Sequence, residues 1–159
     1  MPNIFILPPL GRIKKHSMSD KYKYEEKSID KLKANFSQRK SAGLNSFDNF
    51  EEFLDWYNQQ EKICSYCGIK ESTVQEIVMT GILKSARFPK NGIIGQGQSR
   101  GVWLEVDRIE PKENYSRKNC VLACYFCNND KSDIFHGNDY NLFKSDRAGY
   151  LSNLLKTKK

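Results

Sequence analysis

Residues Cys120–Lys131 read CVLACYFCNNDK, and the fold turns on what the pair Cys124 and Cys127 does. It is either a knuckle that holds a small domain together or one wall of an active site. Two residues between cysteines let both thiolates reach one tetrahedral ion. A second pair of the same spacing, Cys64 and Cys67, stands upstream, with 56 residues between Cys67 and Cys124. A zinc ribbon places its pairs about 15 to 20 residues apart, so an ion shared by these four would pin distant parts of the chain together. Its binding energy would then also be folding energy. Four thiolates leave no open position, which is the donor set of a structural zinc, one per chain. A redox C-x-x-C or two unrelated pairs are the alternatives. The fifth cysteine, Cys120, reads as a small buried hydrophobe.

Working outward, NCVLAC before the second knuckle has the pattern of a short strand, and Tyr125 to Phe135 after it should be helical. Alternation in GVWLEVDRI predicts a partner strand through Val102, Leu104 and Val106. The glycines Gly92, Gly95, Gly97 and Gly101 in PKNGIIGQGQSRG argue against a helix and for a loop or hairpin tip. That loop lacks the Gly-Lys-Ser/Thr of a phosphate-cradling P-loop. KESTVQEIVMTGILKSARF is polar but compatible with a helix. Upstream, Ile29, Leu32 and Phe36 recur at helical spacing after Ser28, ending near Gly43 and Asn45. In SFDNFEEFLDWYNQQEK, Asp48 and Glu51 form the pattern of a capping box before a helix with Phe50, Phe53, Leu54 and Tyr57 on one face. Asn3–Leu7 reads as a short strand or a core plug. Leu151, Leu154 and Leu155 offer a packing face for a terminal helix.

The chain has 26 Lys and Arg against 19 Asp and Glu, a formal net charge of +7 that points to a polyanionic partner. Pro2, Pro8 and Pro9 break the one apolar run near the start, so a signal peptide is not expected, and no run approaches a membrane span. Cysteine pairs in such a chain indicate metal in a reducing compartment rather than disulfides. The expectation is one intracellular, cytoplasmic domain with no membrane association and no small-molecule substrate. It divides into a basic N-terminal arm (1–27), a helical region (28–62), a zinc-bound core (63–136), and a C-terminal helix with a basic tail (137–159).

The chemistry concentrates around the same knuckle. Asp107 ends the first predicted strand and Asn128 follows the last cysteine, so strand, loop, strand and helix can return the two to one place. A carboxylate and an amide oxygen converging on an open position suit a hard cation, Mg²⁺ or Mn²⁺.

CSYCG at Cys64–Gly68, EVDRIEP, and NCVLACYFCNNDK together resemble the four-cysteine, zinc-bound branch of the HNH (ββα-metal) endonucleases, and within it the PacI-like rare-cutting restriction enzymes. The resemblance spans about Cys64 to Phe135 and extends through FLDWY toward residue 45. It implies an α+β fold: a ββα-metal core held by four cysteines, with flanking helices and a basic arm. It also implies a metal-dependent endonuclease acting on duplex DNA, of restriction or homing type, and a homodimer if two strands are cut on a palindromic site. Most members carry a histidine after the metal-binding Asp, where it acts as general base. Here Arg108 stands instead, and a guanidinium cannot take a proton. Clamping the scissile phosphate is the role that suits its fork of donors. Tyr66, inside the first knuckle, matches the tyrosine of the PacI-like branch as base or nucleophile; packing over the zinc is its other reading. His16 and His136 are weaker candidates for the base, and no histidine stands near Gly43 and Leu44, where the branch has one.

In HNH proteins an asparagine placed like Asn119 braces a loop. Glu105 shares a strand face with Asp107 and is a possible further ligand. Candidate nucleic-acid contacts are Lys14, Lys15, Arg39, Lys40, Arg87, Lys90, Arg100, Arg117 and Lys131, the last also readable as a solvated helix lysine. Two other functions remain open: a non-catalytic zinc-stabilised nucleic-acid-binding module, and a nuclease or toxin directed at RNA.

Overall fold

Leu32 and Phe36 are buried on one face of α1 (Ile29–Ser41), while Ile29, the first of that series, is 59% exposed at the helix start. Ser28 caps the helix by accepting from the Lys31 amide at 3.3 Å. Gly43, at φ +69°, ends it, its amide and that of Leu44 donating to the Lys40 and Arg39 carbonyls. The coordinates are a computed structural model that describes residues 22–145. The strand expected at residues 3–7, Lys14, Lys15, His16 and the helix on Leu151, Leu154 and Leu155 lie outside that range.

The capping box of α2 (Phe50–Gln59) sits one residue later than the sequence pattern placed it. Asn49 accepts from the Glu52 amide at 2.9 Å, and the Glu52 carboxylate accepts from the Asp48 amide at 2.7 Å. The helix therefore buries Phe53, Trp56 and Tyr57, with Phe50 and Leu54 only partly covered. Phe53 is the centre of an aromatic cluster, 5.7 Å from Phe36, 5.4 Å from Phe47 and 5.9 Å from Trp56 between centroids. Such pairs add about 0.5–1.5 kcal/mol each beyond area burial.

The stretch after the first knuckle forms α3 (Glu71–Met79), followed by the glycine loop. A single bridge between Pro89 and Gly97 makes that loop a hairpin tip, as its glycines predicted. Gly92, at φ +67°, lies so close to α3 that a Cβ would stand 2.3 Å from the Met79 carbonyl oxygen.

Two short strands, β1 (Glu105–Arg108) and β2 (Cys120–Ala123), pair antiparallel with Asp107 opposite Val121. α4 (Tyr125–Lys131) follows at once, and α5 (Gly137–Ser145) closes the described chain. This is an α+β architecture with a β-hairpin followed by a helix, two layers built around a small sheet. Its first strand starts later than alternation implied, because α3 side chains replace the ladder. The Leu104 amide donates to Glu71 Oε2 at 2.8 Å, and Gln75 Nε2 donates to the Val102 carbonyl at 3.3 Å. Val102 and Leu104 are fully buried outside any strand. α4 is shorter than the expected helix to Phe135 because Ser132, at φ 53°, leaves helical geometry.

The end of the basic arm is not free. Tyr22 donates to Gln75 Oε1 at 2.9 Å, Tyr24 donates to Glu71, and the Trp103 indole donates to the Glu25 carbonyl at 2.8 Å. Residues 22–27 thus form a strap fixed to α3 and to the entry of β1.

Glu71, 1% exposed, holds both the strap and the Leu104 amide. Glu71→Ala leaves that buried amide without a partner and is expected to cost about 2–3 kcal/mol, read as a lower urea midpoint at unchanged m-value. Glu71→Gln, which still accepts from the amide, should lose less than half as much.

Candidate active site

The first knuckle is a tight turn in which the Gly68 amide donates to the Cys64 carbonyl and the Cys64 amide to the Ile69 carbonyl, both at 2.9 Å. The Ser65 amide donates to Leu122 O at 2.8 Å and so attaches this turn to β2. Cys124 is the N-cap of α4, its sulfur accepting from the Cys127 amide. All four Sγ atoms lie within 4.8 Å of one another, and Cys67 and Cys124 are 3.8 Å apart. A tetrahedron with Zn–S of about 2.3 Å has edges of about 3.8 Å, so the cluster has the size and donor set of a zinc site. Thiol hydrogen bonds from Cys124 and Cys127 hold the Cys64 thiol well below its ordinary value. Cys120 takes no part; it is buried, and burial pushes its thiol up to about 12.

Tyr66, between the two cysteines of this turn, donates its hydroxyl to Asp107 Oδ2 at 2.6 Å. Its ring packs edge-on against Tyr140, 5.2 Å between centroids, and against Gly137, where a Cβ would come within 3.2 Å of the phenol oxygen. Burial and the bond to Asp107 raise the phenol well above its usual range. Neither Gly137 nor Tyr140 was signalled by the motifs, because both lie beyond the helix break at Ser132.

Asp107 is 7% exposed. Burial raises its carboxyl above the usual range, against the opposing pull of Tyr66 and Lys131. Lys131, expected at a phosphate or in solvent, is wholly buried, with Nζ 3.2 Å from Asp107 Oδ2 and donating to the Arg108 carbonyl at 2.8 Å. Asp107, Arg108, Tyr115, Asn128, Lys131 and Asp133 line one hollow of about 160 Å³ between β1 and α4. Asn128 Nδ2 donates to Glu105 Oε2 at 2.6 Å, which leaves its carbonyl oxygen out of that bond. Glu105 is engaged twice more by Arg100, at 2.9 and 2.6 Å, so its carboxylate already serves one cation. Arg108 lies over the Tyr115 ring at 4.9 Å and donates to Glu113 O.

Asn119 makes the loop-bracing bonds foreseen for it. It accepts from the Glu110 amide at 2.8 Å and donates to the Glu110 and Asn114 carbonyls, both at 3.1 Å. His136 Nδ1 accepts from the Asn138 amide at the start of α5, a capping contact.

The candidate nucleic-acid residues are dispersed. Arg39 and Arg100 border one groove. Arg87 is held by Asn129 of α4 at 2.8 Å, and Arg117 lies near Glu52 and Gln59 of α2. Lys40 and Lys90 are exposed.

The Asp107–Lys131 pair is a buried one, and removing one partner of such a pair costs about 3–5 kcal/mol. Lys131→Met should show a loss of this size in urea unfolding of the zinc-loaded protein without added Mg²⁺ or Mn²⁺ at neutral pH. The missing cation raises the Asp107 carboxyl further above its unfolded value, so the ionised form is what costs stability in the variant. The deficit should accordingly shrink in mild acid, as Asp107 takes up a proton.

No protein-family model matches the sequence, and no curated protein sequence is significantly similar to it. Among solved structures the chain is similar to the rare-cutting HNH restriction endonuclease PacI, with a TM-score of 0.54 and 23% sequence identity over 84% of this chain and 87% of that one. A hairpin, a following helix and a four-cysteine cluster, in that arrangement, give this chain the ββα-metal fold of the HNH endonuclease PacI.

Proposed function

We propose that the protein is a metal-dependent endonuclease that hydrolyses phosphodiester bonds in double-stranded DNA at specific sequences, in a restriction or homing role. The observation that carries this reading is the hollow shared by Asp107 of β1 and Asn128 of α4, with Arg108 on its rim and the Tyr66 hydroxyl on the Asp107 carboxylate. The fold is that of a restriction endonuclease, and the net charge of +7 suits a DNA partner.

In this reading the four cysteines hold a structural zinc. Asp107 and the side-chain carbonyl of Asn128 would hold Mg²⁺ or Mn²⁺, which would supply positive charge to the phosphate and the departing 3′ oxygen. Arg108 directs its donors at a non-bridging phosphate oxygen, where negative charge grows in the transition state. Lys131 holds Asp107 and the Arg108 carbonyl in place from below. Water attacks phosphorus, the bond to the 3′ oxygen breaks, and a 5′ phosphate and a 3′ hydroxyl result.

Tyr66 is assigned the proton of the attacking water. The phenolate, the form that can take a proton, is the minor one at neutral pH because burial and Asp107 raise the phenol above its usual range. Cleavage limited by its ionisation therefore rises with pH. One hollow per chain cuts one strand, so cutting both on a palindromic site calls for a homodimer.

Incubation of long duplex DNA with the zinc-loaded protein, with and without added Mg²⁺, tests the reading. Discrete Mg²⁺-dependent fragments are expected, lost in Asp107→Ala and reduced about 10²–10³-fold in Arg108→Ala. Tyr66→Phe should lose about 10²–10⁴-fold, and with it the alkaline rise in rate. DNA that is bound yet left intact with every divalent metal would instead favour a non-catalytic zinc-stabilised module, and preferential cleavage of RNA at equal salt would favour the RNA-directed nuclease.

Zinc makes a separate prediction. One equivalent should be released by a thiol-reactive reagent, and removal should abolish cooperative unfolding, since metal binding and folding are coupled in such sites. Cys127→Ser should behave like the stripped protein, whereas Cys120→Ser should keep its zinc.

A further inference from the structure

A groove of about 610 Å³ runs between α1 and the residues leading into β1, and it meets Glu105 and Asn128 at one end. Asn128 also lines the hollow at Asp107, so the two spaces meet at that side chain. Four cations border the groove: Lys27 from the strap, Lys31 and Arg39 from α1, and Arg100. The one acid in its lining, Glu105, is held by Arg100 in a two-bond pair and by Asn128. Among the described residues, Lys27, Lys31 and Arg39 have no ion-pair partner.

These three charges are held in place by the fold rather than left to solvent. Arg39 is clamped between Phe53 and Tyr115, 4.9 and 5.0 Å from the two rings, and its buried Nε and Nη2 lack a hydrogen-bond partner. Lys31 lies over the Trp103 ring at 5.5 Å. Burial, with Arg39 next in effect, lowers the Lys27 ammonium to about 8, while Glu105 and Glu71 pull the other way and Lys31 adds to the lowering. Concentrating positive charge without a counter-anion costs stability, and a bound anion offsets that cost. Asn35, Gln38 and Gln98 add neutral polar groups to the same lining, the side-chain types that contact sugar and phosphate.

We infer that this groove is a backbone subsite for phosphodiester groups next to the scissile one, in which Lys27, Lys31 and Arg39 neutralise consecutive phosphates of the strand entering the Asp107 hollow. The inference rests on the endonuclease reading for the identity of the polymer, and on the groove alone for its anionic chemistry. It gives a use to the strap, whose anchoring to α3 fixes Lys27 at the groove.

Binding of a fluorescent duplex of mixed sequence by the zinc-loaded protein, measured by anisotropy without added Mg²⁺ or Mn²⁺ over a range of salt, tests the subsite without cleavage. Each phosphate contact contributes about 0.9 to the slope of log K against log salt. Lys27→Gln/Lys31→Gln should flatten the slope by up to about 1.8 for two lost contacts, and Lys31→Gln alone by about half that. Lys33→Gln/Lys70→Gln removes the same charge outside the groove and should leave the slope within about 0.4, half of one contact, of the wild type. The inference is overturned if the groove variant keeps the wild-type slope while folded, if the control pair flattens it equally, or if the wild type does not bind duplex DNA. Loss of slope in the groove variant, with no cleavage by the wild type in Mg²⁺, would retain the subsite and remove the endonuclease reading. Cleavage with an unchanged slope would do the reverse.

Discussion

Four sulfurs within 4.8 Å of one another tie a turn at Cys64–Cys67 to the junction of β2 and α4, two segments far apart in sequence. Tyr66 lies inside that turn, so its side chain is delivered to Asp107 by the same constraint. The phenol and the carboxylate are 41 positions apart and meet at 2.6 Å. On the other side, Cys124 caps α4 and Cys127 lies in its first turn, which sets where Asn128 and Lys131 project relative to β1. The metal-binding chemistry of the cysteines and the chemistry around Asp107 are thus parts of one geometric arrangement. A change in sulfur spacing would move the phenol and α4 together.

Around Asp107 the fold gathers charge in a small buried volume. Lys131 supplies a fixed cation, Tyr66 a hydrogen bond, and the register with Val121 keeps the carboxylate on the side facing α4. Arg108, the next residue, stands on the rim of the same hollow and is steadied by Tyr115, a ring that also carries Arg39 on α1. Two guanidinium groups therefore share one aromatic platform, each about 5 Å from its centre. Cation–π contacts of this kind add about 0.5–2 kcal/mol and keep a long side chain in one orientation. The helical region is connected in this way to Arg108 at the end of β1.

Much of this was legible in the cysteine spacing and the strand and helix periodicity. The hairpin, the helix after the second knuckle and the aromatic α2 all follow from local pattern, and the bracing role of Asn119 from the family resemblance. What local pattern could not show were contacts made by polar side chains at long range. Glu71 and Gln75 lie in a stretch that reads only as polar and compatible with a helix, yet they take the amide of Leu104 and the carbonyl of Val102 and delay the start of β1. Lys131 reads as a surface lysine because burial of an ammonium depends on a carboxylate 24 positions away. The one-residue shift of the α2 cap has a similar origin: Asn49 and Asp48 are both competent caps, and Glu52, not Glu51, can reach back to an open amide.

These long-range polar contacts also explain why the arm's last residues are ordered. Gln75 accepts from the Glu25 amide at 2.8 Å and donates to its carbonyl at 2.9 Å, a strand-like exchange made by a side chain. Glu71 beside it fixes both Tyr24 and the backbone entering β1. α3 therefore positions Lys27 and the residues that lead into β1 from one rigid base. Through that base the groove and the Asp107 hollow have a fixed relative placement, which is what successive phosphates of one strand require of the surface that binds them.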